Sequence, residues 1–358
     1  LTVNLPDLTP ESAGFYRLVA TNGLSQITSD WVQVVVVGTP QFARQPEPLT
    51  VRTPGSSFQL EAEVFTNVKA LFGRPTALAA SPTGVVYVAD SANYTIRRVS
   101  QGGSVSTWLG KAGNMGSSLG KLQEASFSDP QGMAFDRDGN LYIADAQRHI
   151  IRKVTPEGVV QAFAGSSEGP ADIVATLDSA RFRSPSAIAF DTDGNMYIAD
   201  TGNHAIRRIR AGQNVVELLA GPVGDAAPGY VDFGPADLAR GKSAYSARFY
   251  APQGLAVRTV ERRNGGLTLR TTQLIVADTM NHVLRRVDIN QAGEVFAVAC
   301  LAGYPALSGR EDRSGMDARF YLPSGVAVAN AQGTSAAVYV ADRGNHVIRK
   351  VAISETEE

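Results

Sequence analysis

Asn195-Met196-Tyr197-Ile198-Ala199-Asp200-Thr201-Gly202-Asn203-His204-Ala205-Ile206-Arg207-Arg208 decides the fold, because versions of it occur five times in 358 residues. Its first part returns as Val85-Val86-Tyr87-Val88-Ala89-Asp90, Asn140-Leu141-Tyr142-Ile143-Ala144-Asp145, Gln273-Leu274-Ile275-Val276-Ala277-Asp278 and Ala337-Val338-Tyr339-Val340-Ala341-Asp342. Seven residues after each Asp stands Arg97, Arg152, Arg207, Arg285 or Arg349, each followed by a second base. Self-similarity at such a period is read before anything else, because it marks arrays that bury faces only by stacking.

Working outward, a second block precedes each Asp. It reads Pro130-Gln131-Gly132-Met133-Ala134-Phe135 in the second copy, Pro252-Gln253-Gly254-Leu255-Ala256-Val257 in the fourth and Pro323-Ser324-Gly325-Val326-Ala327-Val328 in the fifth. Downstream, every copy but the last continues to an apolar run closed by Gly: Trp108-Leu109-Gly110, Phe163-Ala164-Gly165, Leu219-Ala220-Gly221 and Leu301-Ala302-Gly303. Each copy is therefore predicted to hold four short strands. Asp138-Gly139 and Asp193-Gly194 join the first two strands with the dipeptide that supplies positive φ to a tight turn. Four antiparallel strands per unit, repeated radially, make a propeller blade.

Composition agrees. The chain is 44% hydrophobic with 35 Gly and 18 Pro, turn-rich and too apolar to be disordered. Thirty-three basic residues stand against 34 acidic ones, so overall charge does not support a nucleic-acid partner. No stretch of 18 apolar residues exists to span a membrane. The one cysteine, Cys300, excludes an intrachain disulfide and reads as an inert thiol within an apolar run. The chain opens at Leu1 in what reads as the middle of a strand, which leads us to expect a fragment or processed product.

The pattern Pro-x-Gly-apolar-Ala-apolar, then Asp-Gly-Asn-apolar-Tyr-apolar-Ala-Asp, then Gly-Asn-His-x-Ile-Arg resembles the NHL repeat family over roughly residues 73–352. The resemblance implies an all-β, NHL-type β-propeller of five or six blades, with copies near 73–110, 125–165, 180–221, 247–303 and 318–352. It does not choose a function, since NHL propellers include peptide-amidating lyases, RNA- and protein-binding scaffolds and sensor domains of bacterial receptors. The fifth copy ends at its third strand, Ile348-Arg349-Lys350-Val351. We expect the strand-like Phe58 to Val64 to supply the fourth and close the ring, with a sixth, diverged or missing blade as the alternative.

The N-terminus differs. Pro10-Glu11-Ser12-Ala13-Gly14-Phe15-Tyr16 leading into Ala20-Thr21-Asn22-Gly23, then Trp31 to Val37, resembles the last strands of an immunoglobulin-like domain without its disulfide. We therefore expect residues 1–38 to be the C-terminal part of such a β-sandwich, 39–57 a linker with a strand, and 58–358 the propeller.

Each candidate site carries a plainer alternative. His149, His204, His282 and His346 all fall four residues after the repeat Asp, with Tyr94 in the first copy. A His that recurs once per blade is expected to pack and to hydrogen-bond a neighbouring turn. The resemblance implies that lyase-type members gather metal-binding His outside the repeat, and here none is left over. Asp90, Asp145, Asp200, Asp278 and Asp342 are expected to accept hydrogen bonds from the following turn and to pair with the Arg seven residues on. Asp136-Arg137-Asp138 and Asp191-Thr192-Asp193 look like the start of a calcium loop, but the later Glu of such a loop is missing and a hairpin turn is the favoured reading.

Specificity should then lie in the irregular loops. The insert Pro222 to Ser246 holds Tyr230, Asp232, Phe233, Asp237, Arg240 and Tyr245; the stretch Arg258 to Thr272 holds Arg262 and Arg263; the fifth copy carries Arg310 and Arg313. Mixed aromatic and charged loops suit protein or glycan recognition. The expected role is a non-catalytic extracellular binding or assembly scaffold of a bacterial secreted or surface protein, able to self-assemble into a larger surface or filament structure. No cofactor is expected. The alternative is an NHL-type lyase or hydrolase with a channel metal such as calcium.

Overall fold

The computed structural model describes residues 72–354 except 101–102, 123, 167, 225–226, 265–266 and 330–334, and the backbone of five strands nearer the N-terminus. Side chains of those five strands and of 263, 264, 267, 335 and 354 lie outside the description. Two compact units result. One comprises residues 1–72 with 98–106, the other residues 73–97 with 107–358.

In the first unit Gln26–Thr28, Gly14–Thr21, Val32–Val37 and Thr39–Phe42 form one antiparallel sheet. Gln59–Phe65 adds to Gly14–Thr21, with Phe65 opposite Phe15 and Gln59 opposite Thr21. This strand is therefore hydrogen-bonded along one edge within this unit. The immunoglobulin-like reading of residues 1–38 depends on side chains outside the described residues.

The second unit is a β-propeller of five sheets. Blade one holds Pro75–Ala80, Val86–Asp90, Thr95–Val99 and Val105–Leu109 in order. Blade two holds Pro130–Phe135, Leu141–Asp145, Ile150–Val154 and Val159–Ala164. Blade three holds Pro185–Phe190, Met196–Asp200, Ala205–Ile209 and Glu217–Ala220. Blade four holds Pro252–Asn264, Leu267–Asp278, Val283–Ile289 and Val295–Ala302. Blade five has three strands among the described residues, Pro323–Ala329, Ser335–Asp342 and Val347–Ser354. From blade one through to blade five the first strand touches the first strand of the following blade, so these strands are innermost.

Strand periodicity explains how one short run serves two junctions. In Met196–Asp200, Tyr197 and Ala199 point into the core shared with blade four, while Met196 and Ile198 point into the core shared with blade two. Both faces are covered, so the run is continuously apolar rather than alternating. The turn after the first strand needs a positive φ, which Gly139 supplies at 82° and Gly194 at 85°.

Each junction also receives a Phe from the segment leading into the next blade. Ala125 and Phe127 cover Ile96, Ala180 and Phe182 cover Ile151, Ala247 and Phe249 pack with Ile206, and Ala318 and Phe320 pack with Leu284. All four Phe are at most 1% exposed. Burying such a ring contributes roughly 1.5–3 kcal/mol.

The repeat Asp residues are wholly buried and tie three pieces of backbone together. One oxygen accepts from the lead-in segment: Asp145 from Asp129 N (2.9 Å), Asp200 from Arg183 N (2.8 Å), Asp278 from Tyr250 N (2.7 Å) and Asp342 from Tyr321 N (2.8 Å). The other accepts from an Asn of the short 3-10 turn that follows, namely Asn93, Asn203, Asn281 or Asn345, at 2.7–2.9 Å. The Arg seven residues on lies beside it: 3.7 Å for Arg97–Asp90, 2.7 Å for Arg152–Asp145, 2.9 Å for Arg207–Asp200, 3.1 Å for Arg285–Asp278 and 3.3 Å for Arg349–Asp342. Four of these Arg residues also reach the lead-in loop. Arg152 donates to Ser118 O, Arg207 pairs with Asp172, Arg285 with Asp232 and Arg349 with Asp312. The guanidinium groups of Arg152, Arg285 and Arg349 stack over Phe127, Phe249 and Phe320 at 4.8, 5.1 and 4.4 Å.

The histidines span junctions. His149, His204 and His282 end their 3-10 turns in the left-handed region. Their Nδ1 atoms accept from the next blade: from Ser184 N at 3.0 Å, Ala251 N at 3.1 Å and Leu322 N at 3.2 Å. An accepting Nδ1 requires the neutral ring. Burial lowers the pKa of all three below 6.5, helped at His149 and His204 by the Arg183 cation.

Two outcomes follow. Phe182→Ala should lower unfolding stability by roughly 3–5 kcal/mol, read from urea denaturation. The histidines should contribute stability that is present above pH 6.5 and lost as pH falls below it, because the unfolded chain takes up those protons first. Burial raises Asp278 to about 6, and the carboxylates Asp145 and Asp200 move the same way, so these groups act with the opposite sign. His204→Asn keeps a residue tolerant of positive φ and removes the titration. Thermal melts from pH 7 to pH 5 should show a smaller loss in this variant than in the unaltered chain; identical slopes would contradict the assignment.

Candidate functional site

An antiparallel meander sends its connections to two ends. The turns between first and second strands, and between third and fourth, leave from one end of each blade. The 3-10 turns and the lead-in loops leave from the other. The sequence-derived candidates divide between these ends.

On the loop end, the insert Pro222 to Ser246 is folded back onto blade four. Phe233 is 2% exposed, and its backbone bridges Val298 in both directions at 2.9 and 2.7 Å. Tyr230 lies 4.4 Å from the Arg285 guanidinium and donates to Asp232 at 3.1 Å. Burial raises the Tyr230 hydroxyl above its ordinary range and likewise pushes up the nearby half-buried Cys300 thiol. Tyr230, Asp232 and Phe233 are thus gathered around Arg285, as part of the loop's anchorage. Asp237 caps the short helix Pro235–Leu238 and pairs with Lys242 at 2.9 Å. Arg240 and Tyr245 stay exposed, as do Arg310 and Arg313 on the lead-in loop of blade five.

The same end carries an apolar patch that sequence reading did not single out. Tyr250, Met280, Tyr304, Leu307, Met316 and Tyr321 are each 37–49% exposed. They are linked through blades four and five. Met280 N donates to Tyr250 O at 3.0 Å, and Ala306 N to Asn281 O at 3.1 Å. Tyr304 bridges Leu307, and the Arg319 guanidinium sits 5.1 Å from the Tyr304 ring while donating to Met316 O at 2.8 Å. Tyr250 and Tyr321 stand edge-on to His204 and His282 at 5.7 and 5.6 Å. The signal in the sequence was the Tyr after two of the three Ala-Arg-Phe runs, at Tyr250 and Tyr321.

At the opposite end a cavity of about 570 Å³ opens among the innermost strands of four blades, lined by Phe135, Asp136, Phe190, Asp191, Val257 and Arg258 with their neighbours. Ser81, Asp136, Asp191 and Arg258 occupy one equivalent position. In blades two and three the Asp closes the turn. Asp191 accepts from Asp193 N, Asn195 N, Asn195 Nδ2 and the Tyr197 hydroxyl at 2.8–2.9 Å, and Asp136 holds its turn in the same way. In blade four the hairpin runs on to Asn264, so no turn Asp is needed and a buried Arg258 stands there instead. Arg270 of that hairpin reaches blade three, 2.9 Å from Asp193. Arg262 is exposed on this end, and the Arg263 side chain lies outside the described residues. Among the described residues no three His, Cys, Asp or Glu side chains converge as metal ligands would, and no helix is long and apolar enough to cross a membrane.

Comparison with known proteins places the repeat. A family profile described as NHL repeat matches residues 182–209. The chain is 28% identical over 204 residues to NHL repeat-containing protein 2 of Bos taurus, covering 51% of this chain and 25% of that protein. It is 28% identical over 247 residues to Teneurin-4 of Mus musculus, covering 64% of this chain and 8% of that protein. The chain therefore spans about a quarter or less of the length of these relatives. Among solved structures, an auxiliary nutrient binding protein from Bacteroides ovatus superposes with a TM-score of 0.52 at 16% identity, over 82% of this chain and 62% of that one. Such a likeness speaks for fold alone. Residues 182–209 match the NHL repeat, and the five sheets form an all-β propeller.

Proposed function

We propose that this chain is a non-catalytic recognition module of a secreted or surface-exposed bacterial protein, binding a protein or glycan through the loop end of blades four and five. The observation that carries this reading is the patch of Tyr250, Met280, Tyr304, Leu307, Met316 and Tyr321, with Arg319 set against Tyr304 and Met316. Tyr, Met and Arg are the side chains enriched where interfaces bury surface, and exposed tyrosines bring large contact area at small entropic cost. The repeat Asp, Arg and His residues support the assignment from the other side, since their polar atoms already hold backbone together. The immunoglobulin-like resemblance of the N-terminal stretch supports the extracellular setting, and assembly into a larger surface structure would use the same exposed loops.

A second reading is favoured by one observation, the cavity at the opposite end with its buried Arg258. It would serve a small-molecule lyase or hydrolase, with an ion such as calcium supplied at the channel. Elemental analysis of the purified chain separates the two, because a stoichiometric retained calcium would favour the channel.

For the main reading, glycan arrays and a surface-protein library screened with the intact chain should give a binder whose affinity drops by about tenfold or more in Tyr304→Ala/Tyr321→Ala. The melting temperature should stay unchanged. Replacing 222–246 by a short Gly-Ser turn should weaken the same binding less than it lowers stability, because Phe233 and Asp232 anchor that loop. Undiminished binding by the double variant would remove the patch from consideration.

A further inference from the structure

Arg183, Tyr250 and Tyr321 directly follow the buried Phe182, Phe249 and Phe320 and so hold one equivalent position in blades three, four and five. All three stand at junctions between described blades. Tyr250 and Tyr321 are 37% and 42% exposed, and Arg183 is half-buried. Along the loop end a guanidinium is therefore followed by two tyrosines, one per blade.

The 3-10 turns hold these side chains in place. Gly202 donates its N–H to Arg183 O at 2.8 Å, and Gly344 donates to Tyr321 O at 2.7 Å. A Cβ on Gly202 would fall 2.5 Å from Arg183 Cγ, and one on Gly344 would fall 2.6 Å from Tyr321 Cγ. The glycines thus make room for the Arg183 stem and the Tyr321 ring, which restricts both before any partner arrives. Blade four has Met280 at this place, with its N–H on Tyr250 O, and Tyr250 stands edge-on to His204. Beyond the effect of burial, the Arg183 cation lowers the pKa of both His149 and His204, so its charge is felt on both sides of blade three.

We propose that Arg183, Tyr250 and Tyr321 form a subsite for an anionic saccharide, with pyranose rings lying on the tyrosines and a ring carboxylate on Arg183. Resting on the loop end as the recognition surface, this subsite narrows the ligand from a protein or glycan to an acidic glycan. The backbone donors around it are already taken. Ser184 N, Ala251 N and Leu322 N donate to His149, His204 and His282, while Gly202 N, Met280 N and Gly344 N donate to Arg183 O, Tyr250 O and Tyr321 O. An extended peptide would find no backbone N–H among them to hold its carbonyls, and that pairing is where such a ligand draws its affinity. A pyranose has no such need, since it sets an apolar C–H face on an aromatic ring and turns its hydroxyls to water. The planar fork of a guanidinium matches a carboxylate in both charge and shape.

Pentagalacturonate, and hyaluronan and alginate oligomers of similar length, each labelled with a fluorophore at the reducing end, would be titrated with the intact chain and followed by anisotropy. At least one should bind saturably, and methyl-esterifying its carboxylates should weaken binding by about tenfold or more. Arg183→Met, which keeps a stem over Gly202, and Tyr321→Ala should each weaken it to a similar extent. The ester comparison leaves the protein untouched and so decides the matter even where a variant folds poorly. Equal affinity for acid and ester, or no saturable binding of any of these oligomers, would overturn the subsite. A neutral glycan or surface protein that still binds in a Tyr304- and Tyr321-dependent way would then leave the recognition surface standing without it. Tighter binding of a penta-glutamate peptide than of any uronate oligomer would overturn the subsite as well, by giving the arc to an acidic polypeptide.

Discussion

A buried carboxylate can persist only if its lone pairs are taken up, and the five repeat Asp residues dictate much of the architecture by meeting that constraint. Each stands at the end of a second strand, where its two oxygens collect a lead-in backbone N–H, in most blades an Asn amide, and a guanidinium from the next strand. Strand, turn and loop are thereby fixed to one another within a blade. The His four residues on extends the arrangement across the junction, through a ring nitrogen that accepts from a backbone N–H of the following blade. Apolar burial supplies the bulk of the stability, while these polar contacts set the place of each loop. A buried ion pair is itself weak evidence for net stabilisation, yet loss of one partner leaves a costly uncompensated charge.

This arrangement also separates scaffold from specificity. Groups that in another setting would suggest chemistry, such as paired carboxylates, arginines and histidines, are held by backbone in almost every blade. What varies lies at the two ends: the aromatic loop surface of blades four and five, and the cavity where Arg258 stands in the position held by Asp136 and Asp191. The second deviation traces to an insertion in the fourth copy, which also holds the long lead-in loop. The extended hairpin Pro252–Asn264 with Leu267–Asp278 removes the need for a turn Asp, and the long lead-in loop adds Tyr230 and Asp232 around Arg285.

The repeat was legible in the sequence because its determinants are local. Asp, Asn, His and Arg fall within seven residues, so insertions elsewhere leave their spacing untouched. The Ala-x-Phe segment was not noticed, although Phe127, Phe182, Phe249 and Phe320 fill every described junction. It precedes Asp145 and Asp200 by one spacing, but hairpin extensions shift it relative to Asp278 and Asp342, and anchoring the comparison on the Pro of the first strand would have revealed it. The loop candidates were legible by location and not by role. Nothing in the spacing of Tyr230, Asp232 and Phe233 shows that the chain folds back on Val298 and Arg285. The pairing of Gln59–Phe65 with Gly14–Thr21 was equally hidden, because an alternating strand does not name its neighbour.

The account rests on the Asp–Arg pair acting as structure, and a double-mutant cycle at Asp200 and Arg207 measures that directly. Asp200→Ala, Arg207→Met and the double variant would be compared with the unaltered chain by equilibrium denaturation. A coupling energy of about 2 kcal/mol or more is expected, with the double variant far less damaged than the sum of the singles. Additive losses, or single variants as stable as the parent, would contradict the claim that these charges fix strand, turn and loop within each blade.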